Sequence, residues 1–257
     1  MKTAKSVALL AEGKLTDTPL ARFWSLSQML GPVQASSYRL ASRIANRLRA
    51  GFAVQNYSGF DSCRTILISV PDCSLPRVLA ELYSAEISWP GKNVILCSQA
   101  LDSSELREFS GRRAAVASIT SIPGFDDLRY LVEGDKLAVR AAKLLVEHGE
   151  RRAIAIERGL KPFYQAAMAC TGNLVFALLL AASESLRHAG VTPHVSAAIL
   201  ERQVSRSLRS YLRAGRRAYQ PYAQFARQLH TLSHADPPLA SYVEQSWRLA
   251  DRLFETL

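Results

Sequence analysis

Apolar residues in the first ~158 positions come in short runs of strand length, separated by amphipathic stretches of helical length. Val7-Ala8-Leu9-Leu10-Ala11 is the first strand. A helix opens with Thr18 as N-cap and Pro19 at its first position, and runs to Leu30, where Gly31-Pro32 stops it. Val33–Ser37 reads as strand two, Tyr38 to Ala50 as a helix ended by Gly51, and Phe52–Gln55 as a short third strand. Thr65–Val70 is a continuous apolar run typical of a strand buried on both faces, closed by Pro71-Asp72. A helix to Ala85 follows, then a strand at Asn93–Ser98, a short helix at Ser103–Ser110 and a strand at Ala114–Ser118. Tyr130–Glu133 extends the pattern, Asp135 caps a helix through His148, and Ala153–Glu157 closes this half. Repeated βα units of this length predict a Rossmann-like, doubly wound parallel sheet.

After Gly159 strand signals vanish and helical periodicity takes over. One long helix is predicted from Pro162 to Ala189, stopped by Gly190, with others at about 194–214, 221–233 and 238–256. The predicted fold is α/β followed by an all-α domain, with residues 1–158 as the dinucleotide-binding domain and 159–257 as the helical one. Val175, Phe176, Leu178, Leu179, Leu180 and Ala182 make the long helix apolar nearly all round, which predicts burial at a domain centre or a dimer core.

Composition narrows the class. With 48% hydrophobic and 21% charged residues the chain reads as globular. The longest apolar stretch, Leu174 to Ala182, falls short of the ~20 residues that span a bilayer. No signal-peptide pattern is read at the start, and a cytoplasmic location is expected. Cys63, Cys73, Cys97 and Cys170 lack metal-binding spacing and are expected to be buried thiols. A net charge of +10 favours an anionic ligand or partner.

The first strand leads into Ala11-Glu12-Gly13-Lys14-Leu15-Thr16-Asp17-Thr18-Pro19. A dinucleotide-binding turn places Gly-x-Gly-x-x-Gly here, for a tight turn, close backbone approach to pyrophosphate and close helix packing. Only Gly13 is clearly present, and the Glu12 carboxylate opposes a diphosphate unless it points away. Strand two ends in Ser36-Ser37-Tyr38-Arg39 rather than in an acid, which suits the 2′-phosphate of NADP. The competing reading is that Ser37 only caps the next helix and Arg39 is solvated.

Thr65–Asp72, Val132-Glu133-Gly134-Asp135 and Lys161-Pro162-Phe163-Tyr164-Gln165-Ala166-Ala167 with Asn173 together resemble a bacterial family of Rossmann-like oxidoreductases. Its members carry a 6-phosphogluconate dehydrogenase-type helical C-terminal domain and are distantly related to pyrroline-5-carboxylate reductase. The resemblance implies an NADP-type cofactor at the strand carboxyl ends, a substrate cleft between the domains, and a homodimer through the C-terminal helices. It implies that Val70, Pro71 and Asp72 lie near the nicotinamide, with Lys161 and Tyr164 facing the cleft and Asn173 deeper. The expected cofactor set is Gly13, Ser36, Ser37, Arg39, Val70, Pro71, Asp72 and Ser98. The expected catalytic set is Lys161, Tyr164, Gln165 and Asn173, with no metal. The chain departs from the family pattern at Leu96-Cys97-Ser98-Gln99-Ala100, where His-x-Ser-Gly-Ala is usual, at Ile119-Thr120-Ser121, where Leu-His-Pro is usual, and at Gln165, where His is usual.

Reduction of a carbonyl or imine needs a positioned donor. Lys161 and Gln165 share a helix face, and Tyr164 is a second donor. Alternatively, Lys161 snorkels at a helix start and Gln165 packs at an interface. Asn173, within an apolar helix, requires a partner.

Arg202, Arg206, Arg209, Arg213 and Arg216 are spaced four, three, four and three apart, so they share one helix face. Such a face suits an anionic partner, or it is an exposed face paired with acids of neighbouring helices. His230 and His234, four apart, could share a metal but lack an evident third ligand. The sequence thus supports an NADP-dependent oxidoreductase of a small carbonyl or imine. The alternative is a catalytically silent dimeric relative that binds an acidic partner or polyanion through the arginine face.

Overall fold

A computed structural model describes residues 6–13, 26–124, 129–147, 151–219 and 225–256. The chain divides into two compact units, Met1–Gln165 and Ala166–Leu257. The sequence-based boundary at Arg158-Gly159 precedes this division, which falls inside the helix opening at Lys161.

The first unit is built on one eight-stranded sheet in the order β3-β2-β1-β4-β5-β6-β7-β8. Its strands are β1 (Val7–Ala11), β2 (Leu30–Gln34), β3 (Phe52–Ala53), β4 (Thr65–Ser69), β5 (Asn93–Cys97), β6 (Ala115–Ser121), β7 (Arg129–Gly134) and β8 (Arg152–Ala155). The strands from β3 to β6 are parallel, and the order reverses between β1 and β4. At such a switch point a crevice forms outside the carboxyl ends of the strands. β7 departs from the expected all-parallel sheet and runs antiparallel to β6. Seven residues separate Ser121 from Arg129, fewer than the dozen or more that a parallel crossover needs. β8 then pairs parallel to β7.

Alternate residues of each strand point to opposite faces, and both faces are covered. Val7, Leu9, Leu67, Ile95, Ala117 and Ile119 pack on one side with α2 (Tyr38–Leu48) and α5 (Lys136–Val146). Ala8, Leu10, Ile66, Ile68, Leu96 and Val116 pack on the other with α3 (Leu75–Ser84) and α4 (Arg107–Gly111).

Several boundaries move. Thr18, Pro19 and most of the first predicted helix lie outside the described residues; its end is α1 (Leu26–Met29). Strand two starts at Leu30 rather than Val33 and ends at Gln34, so Gly31-Pro32 lies inside it. Burial of Leu30 and Val33 in the core outweighs the local breaker signal. α2 ends at Leu48, where Arg49 takes a left-handed conformation (φ 50°).

The second unit is helical. The predicted single helix from Pro162 is two, α6 (Lys161–Thr171) and α7 (Asn173–His188), broken at the non-helical Gly172. α8 (Pro193–Ala214), α9 (Phe225–Ala235) and α10 (Pro237–Thr256) follow. Within the single chain α7 contains no buried residue, and Phe176 and Leu178 are 69% and 52% exposed, so of the two expected settings a domain centre is not met and a dimer core is left. Lys161–His188 as a whole is long and apolar enough to cross a membrane by length and composition, although the apolar run inside it is shorter. The thiols also divide: Cys63 and Cys97 are buried, Cys73 and Cys170 exposed. The apolar runs that hold the first two explain their burial, whereas Cys73 sits in a surface turn and Cys170 on the uncovered α6.

A buried polar network ties the first turn of α6 to the sheet. Lys161 is 1% exposed, and its Nζ donates to Ser98 O (2.9 Å), Leu101 O (2.5 Å) and Ser118 Oγ (3.4 Å). Ser118 Oγ donates to Glu133 Oε1 (2.6 Å), and Glu133 also accepts from Ser103 N (2.7 Å) and Ser103 Oγ (2.8 Å). Burial lowers the Lys161 pKa from 10.5 to about 8, with Glu133 and Asp102 opposing the shift. Between those values the unfolded chain binds more protons than the native one, so this group's contribution to stability rises with pH from about 8 to 10.5. Lys161→Met should lose about 2–3 kcal/mol at neutral pH through stranded buried oxygens, and should flatten that rise. Urea unfolding at pH 7, 8.5 and 10 measures both.

Candidate active site

The parallel strands deliver their carboxyl ends to one edge. After β1 the chain passes through Glu12 to Gly13, with Glu12 N donating to Ser69 O (3.1 Å). Gly13 has φ +81°, which favours glycine, and a Cβ there would sit 3.3 Å from Pro71 Cγ. The one retained glycine therefore does two jobs: it makes the turn and lets the β1 end approach the Val70-Pro71-Asp72 loop after β4.

The Glu12 carboxylate is held by Arg77 of α3, whose Nη2 donates to both carboxylate oxygens (2.8 and 2.9 Å). Arg77 Nη1 also donates to Glu81 (2.7 Å), and these acids together raise the guanidinium pKa above its ordinary value. Glu12 thus points to a cation on the neighbouring helix.

At the end of β2, Ser36, Ser37 and Arg39 are exposed. Ser37 Oγ accepts from Leu40 N (3.2 Å) and caps α2, so the capping reading holds for this hydroxyl. Arg39 stands one turn into that helix.

Asp72, Ser98, Lys161 and Gln165 join one hydrogen-bonded network around the loop after β5. Asp72 Oδ1 accepts from Ser98 Oγ (3.0 Å), and the same Oγ accepts from Ala100 N (3.1 Å) and Leu101 N (2.9 Å). Ser98 O accepts from Lys161 Nζ and from Thr120 Oγ1 (2.7 Å). Gln99 Nε2 donates to Ser121 Oγ (2.5 Å), and Gln165 Nε2 donates to Ala100 O. Gln99, Thr120 and Gln165 thus form a polar web in place of the family-type Gly-and-His pattern.

Two expectations change. Lys161 does not face outward as a proton donor, because three protein oxygens surround its ammonium; it positions the loop after β5. Asn173 is not buried within an apolar helix: it is the exposed first residue of α7 in the second unit, because the helix restarts after Gly172. Tyr164, half-buried, has its pKa raised by burial. Sequence reasoning missed Arg77 and Glu133. Arg77 shows only its i,i+4 match to Glu81, while its pairing with Glu12 spans the sheet edge.

Among the described residues no group of three metal-ligating side chains occurs; His230 and His234 lie edge to face at 4.7 Å. The second unit has its own open apolar hollow of about 970 Å³, lined by Leu178, Ala182, Tyr219, Leu232, Val243 and Trp247.

Residues 128–221 match the family model described as a domain of unknown function, DUF2520. No curated protein matches the chain. Solved structures do. A candidate NADP oxidoreductase of Bacteroides fragilis is 12% identical with a TM-score of 0.69, over 95% of this chain and 96% of that one. A variant imine reductase of Myxococcus stipitatus, solved with NAD+, is 13% identical with a TM-score of 0.67, over 98% and 95%. A reductive aminase of Aspergillus terreus, solved with NADPH and ethyl-5-oxohexanoate, is 14% identical with a TM-score of 0.66, over 97% and 94%. The eight-stranded sheet, its switch point and the helical second unit thus give this chain the fold of the Rossmann-type oxidoreductases that carry an all-α C-terminal domain.

Proposed function

We propose that the first unit binds NADP(H) along the carboxyl edge of β1, β2, β4 and β5, and that the chain is an NADP-dependent oxidoreductase of a small carbonyl or imine. The observation that carries this reading is the turn after β1. Gly13 has the positive φ that suits the first glycine of a dinucleotide turn, and Arg77 pairs with the Glu12 carboxylate and offsets its charge. Structures of the same fold solved with NAD+ or NADPH support it. Arg39 would take the 2′-phosphate, while Ser36 and Ser37 border it. Val70, Pro71, Asp72 and Ser98 would shape the nicotinamide end, with Ser98 and Asp72 fixing each other.

NADPH when bound supplies a hydride. The chain's own part is to orient the acceptor and to give a proton to its oxygen or nitrogen. Tyr164 is the hydroxyl donor beside this edge, Gln165 braces the β5 loop, and Lys161 holds that loop in place. The enclosure of Lys161 and the absence of imidazole at Thr120 and Gln165 favour a second reading, in which cofactor binding persists without turnover. The second unit would then serve as a dimeric scaffold, and the anionic partner of the arginine face remains open to either reading.

NADPH should raise the melting temperature by several degrees at millimolar concentration, NADH less, and Arg39→Ala should erase the difference. No shift with either nucleotide overturns cofactor binding, whereas a shift without NADPH oxidation across an imine and ketone panel selects the silent reading. Arg77→Ala should weaken NADPH binding about tenfold by freeing the Glu12 charge, and Glu12→Gln added to it should restore affinity. Calorimetric titration of the single and double variants checks this.

We infer further that two copies pair through the helices of the second unit. Leu174, Phe176, Leu178 and Leu180 are more than half exposed, and large apolar side chains clustered on one exposed helix favour a protein contact. Sedimentation equilibrium should give a dimer mass, and Phe176→Glu with Leu178→Glu should give a monomer.

A further inference from the structure

We propose that the arginine face of α8 binds the phosphate backbone of nucleic acid, independently of the sheet-edge site. α8 is a 22-residue helix that buries only Ser196. Arg202, Arg206, Arg209 and Arg213 are all exposed on it, and Arg216 and Arg217 continue the charge in the turn that follows. Among the described residues none of Arg202, Arg206, Arg209 and Arg213 lies within ion-pair distance of a carboxylate. Arg216 donates to Phe254 O, which anchors the end of the row to α10. The expectation that acids of neighbouring helices neutralise this face is not met among those residues.

Geometry and residue type select the partner. At 100° per residue Arg202, Arg206, Arg209 and Arg213 fall within one narrow sector, and between 202 and 213 no apolar or acidic side chain enters it; Arg216, expected on the same face, lies past the helix end at Ala214. A protein interface of ordinary size has a desolvated apolar centre, which this row lacks. Val204, Leu208 and Tyr211 lie broadly opposite the arginines, so an apolar contact made through them leaves the row free to meet phosphates. A phosphate backbone needs only a line of cations. Arg202 to Arg213 spans about 16 Å of helix. That length matches about five phosphates of one strand. Guanidinium forks suit phosphate oxygens bidentately, and the +10 net charge adds long-range attraction. Contacts of this row to phosphates would carry no sequence information, so binding is expected to tolerate any sequence.

The test is fluorescence anisotropy of the full chain with a labelled 24-base-pair DNA duplex of arbitrary sequence, at 50 to 200 mM salt. Neutralising about four phosphates predicts a log–log salt slope near −3.6, or about a hundredfold loss of affinity across that range. Arg206→Glu with Arg209→Glu should weaken binding at least about tenfold at 50 mM salt and make the slope shallower by about two. Arg64→Glu with Arg107→Glu, the same charge change at exposed positions of the first unit, should leave the slope unchanged. If the glutamate pair lowers the melting temperature, Arg206→Gln with Arg209→Gln replaces it, with a slope shallower by about two again expected. Absence of duplex binding at 50 mM salt, equal losses in both arginine pairs, or tighter binding to polyglutamate than to the duplex would overturn the proposal.

Discussion

The carboxyl edge of the sheet depends on one buried ammonium. Lys161 reaches into the protein and donates to Ser98 O, Leu101 O and Ser118 Oγ. A cation in such a place is costly unless oxygens surround it and an acid lies close. The chain supplies both, with Glu133 behind Ser118 and carbonyls from the loop after β5 in front. The loop, β6, β7 and the first turn of α6 are fixed together. Ser98 can then hold Asp72, and the ends of β4 and β5 share one geometry.

The same economy governs the turn after β1. A dinucleotide turn with a single clear glycine looks degraded when read as a pattern of letters. In space, the retained glycine is the one whose backbone needs positive φ and whose missing Cβ admits Pro71. The acid beside it is committed to Arg77, a residue of another helix. The other positions of the fingerprint fall among residues 14–25, outside the described residues. The proton-donating side of the site is altered more deeply. Amides and hydroxyls replace imidazoles, and they bond to one another and to backbone carbonyls. Such a web is rigid, and it leaves Tyr164 as the donor to examine.

The second unit leaves large apolar and basic faces exposed within the single chain. α7 carries large apolar side chains over exposed positions, and α8 presents an apolar side and an arginine side, neither of them covered. The apolar exposure is the ground for the proposed pairing of two copies. Uncompensated arginine in a row calls for polyanion. These demands fall on different faces of the helices, so one does not preclude the other.

Much of the first unit was legible in the sequence because local rules and tertiary demand agree there. The buried runs Val7–Ala11, Thr65–Ser69 and Asn93–Cys97 are strands in both readings, and the helices that follow Ser37 and Pro71-Asp72 sit where caps and breakers place them. The helical character of the second half and the arginine spacing were legible for the same reason: each is periodic. What depended on distant partners was not. Leu30-Gly31-Pro32 joins a strand because the core receives it, against its own breaker signal. β7 runs antiparallel because the link before it is short. Lys161, read as a donor at a helix start, is a buried anchor because oxygens far away in sequence converge on it, and Glu12 is harmless because Arg77 arrives from across the edge. Sequence alone determines periodicity, turn chemistry and charge, which act between near neighbours. Which charge meets which, and whether it faces ligand or protein, is decided only when the sheet brings remote residues within hydrogen-bonding distance.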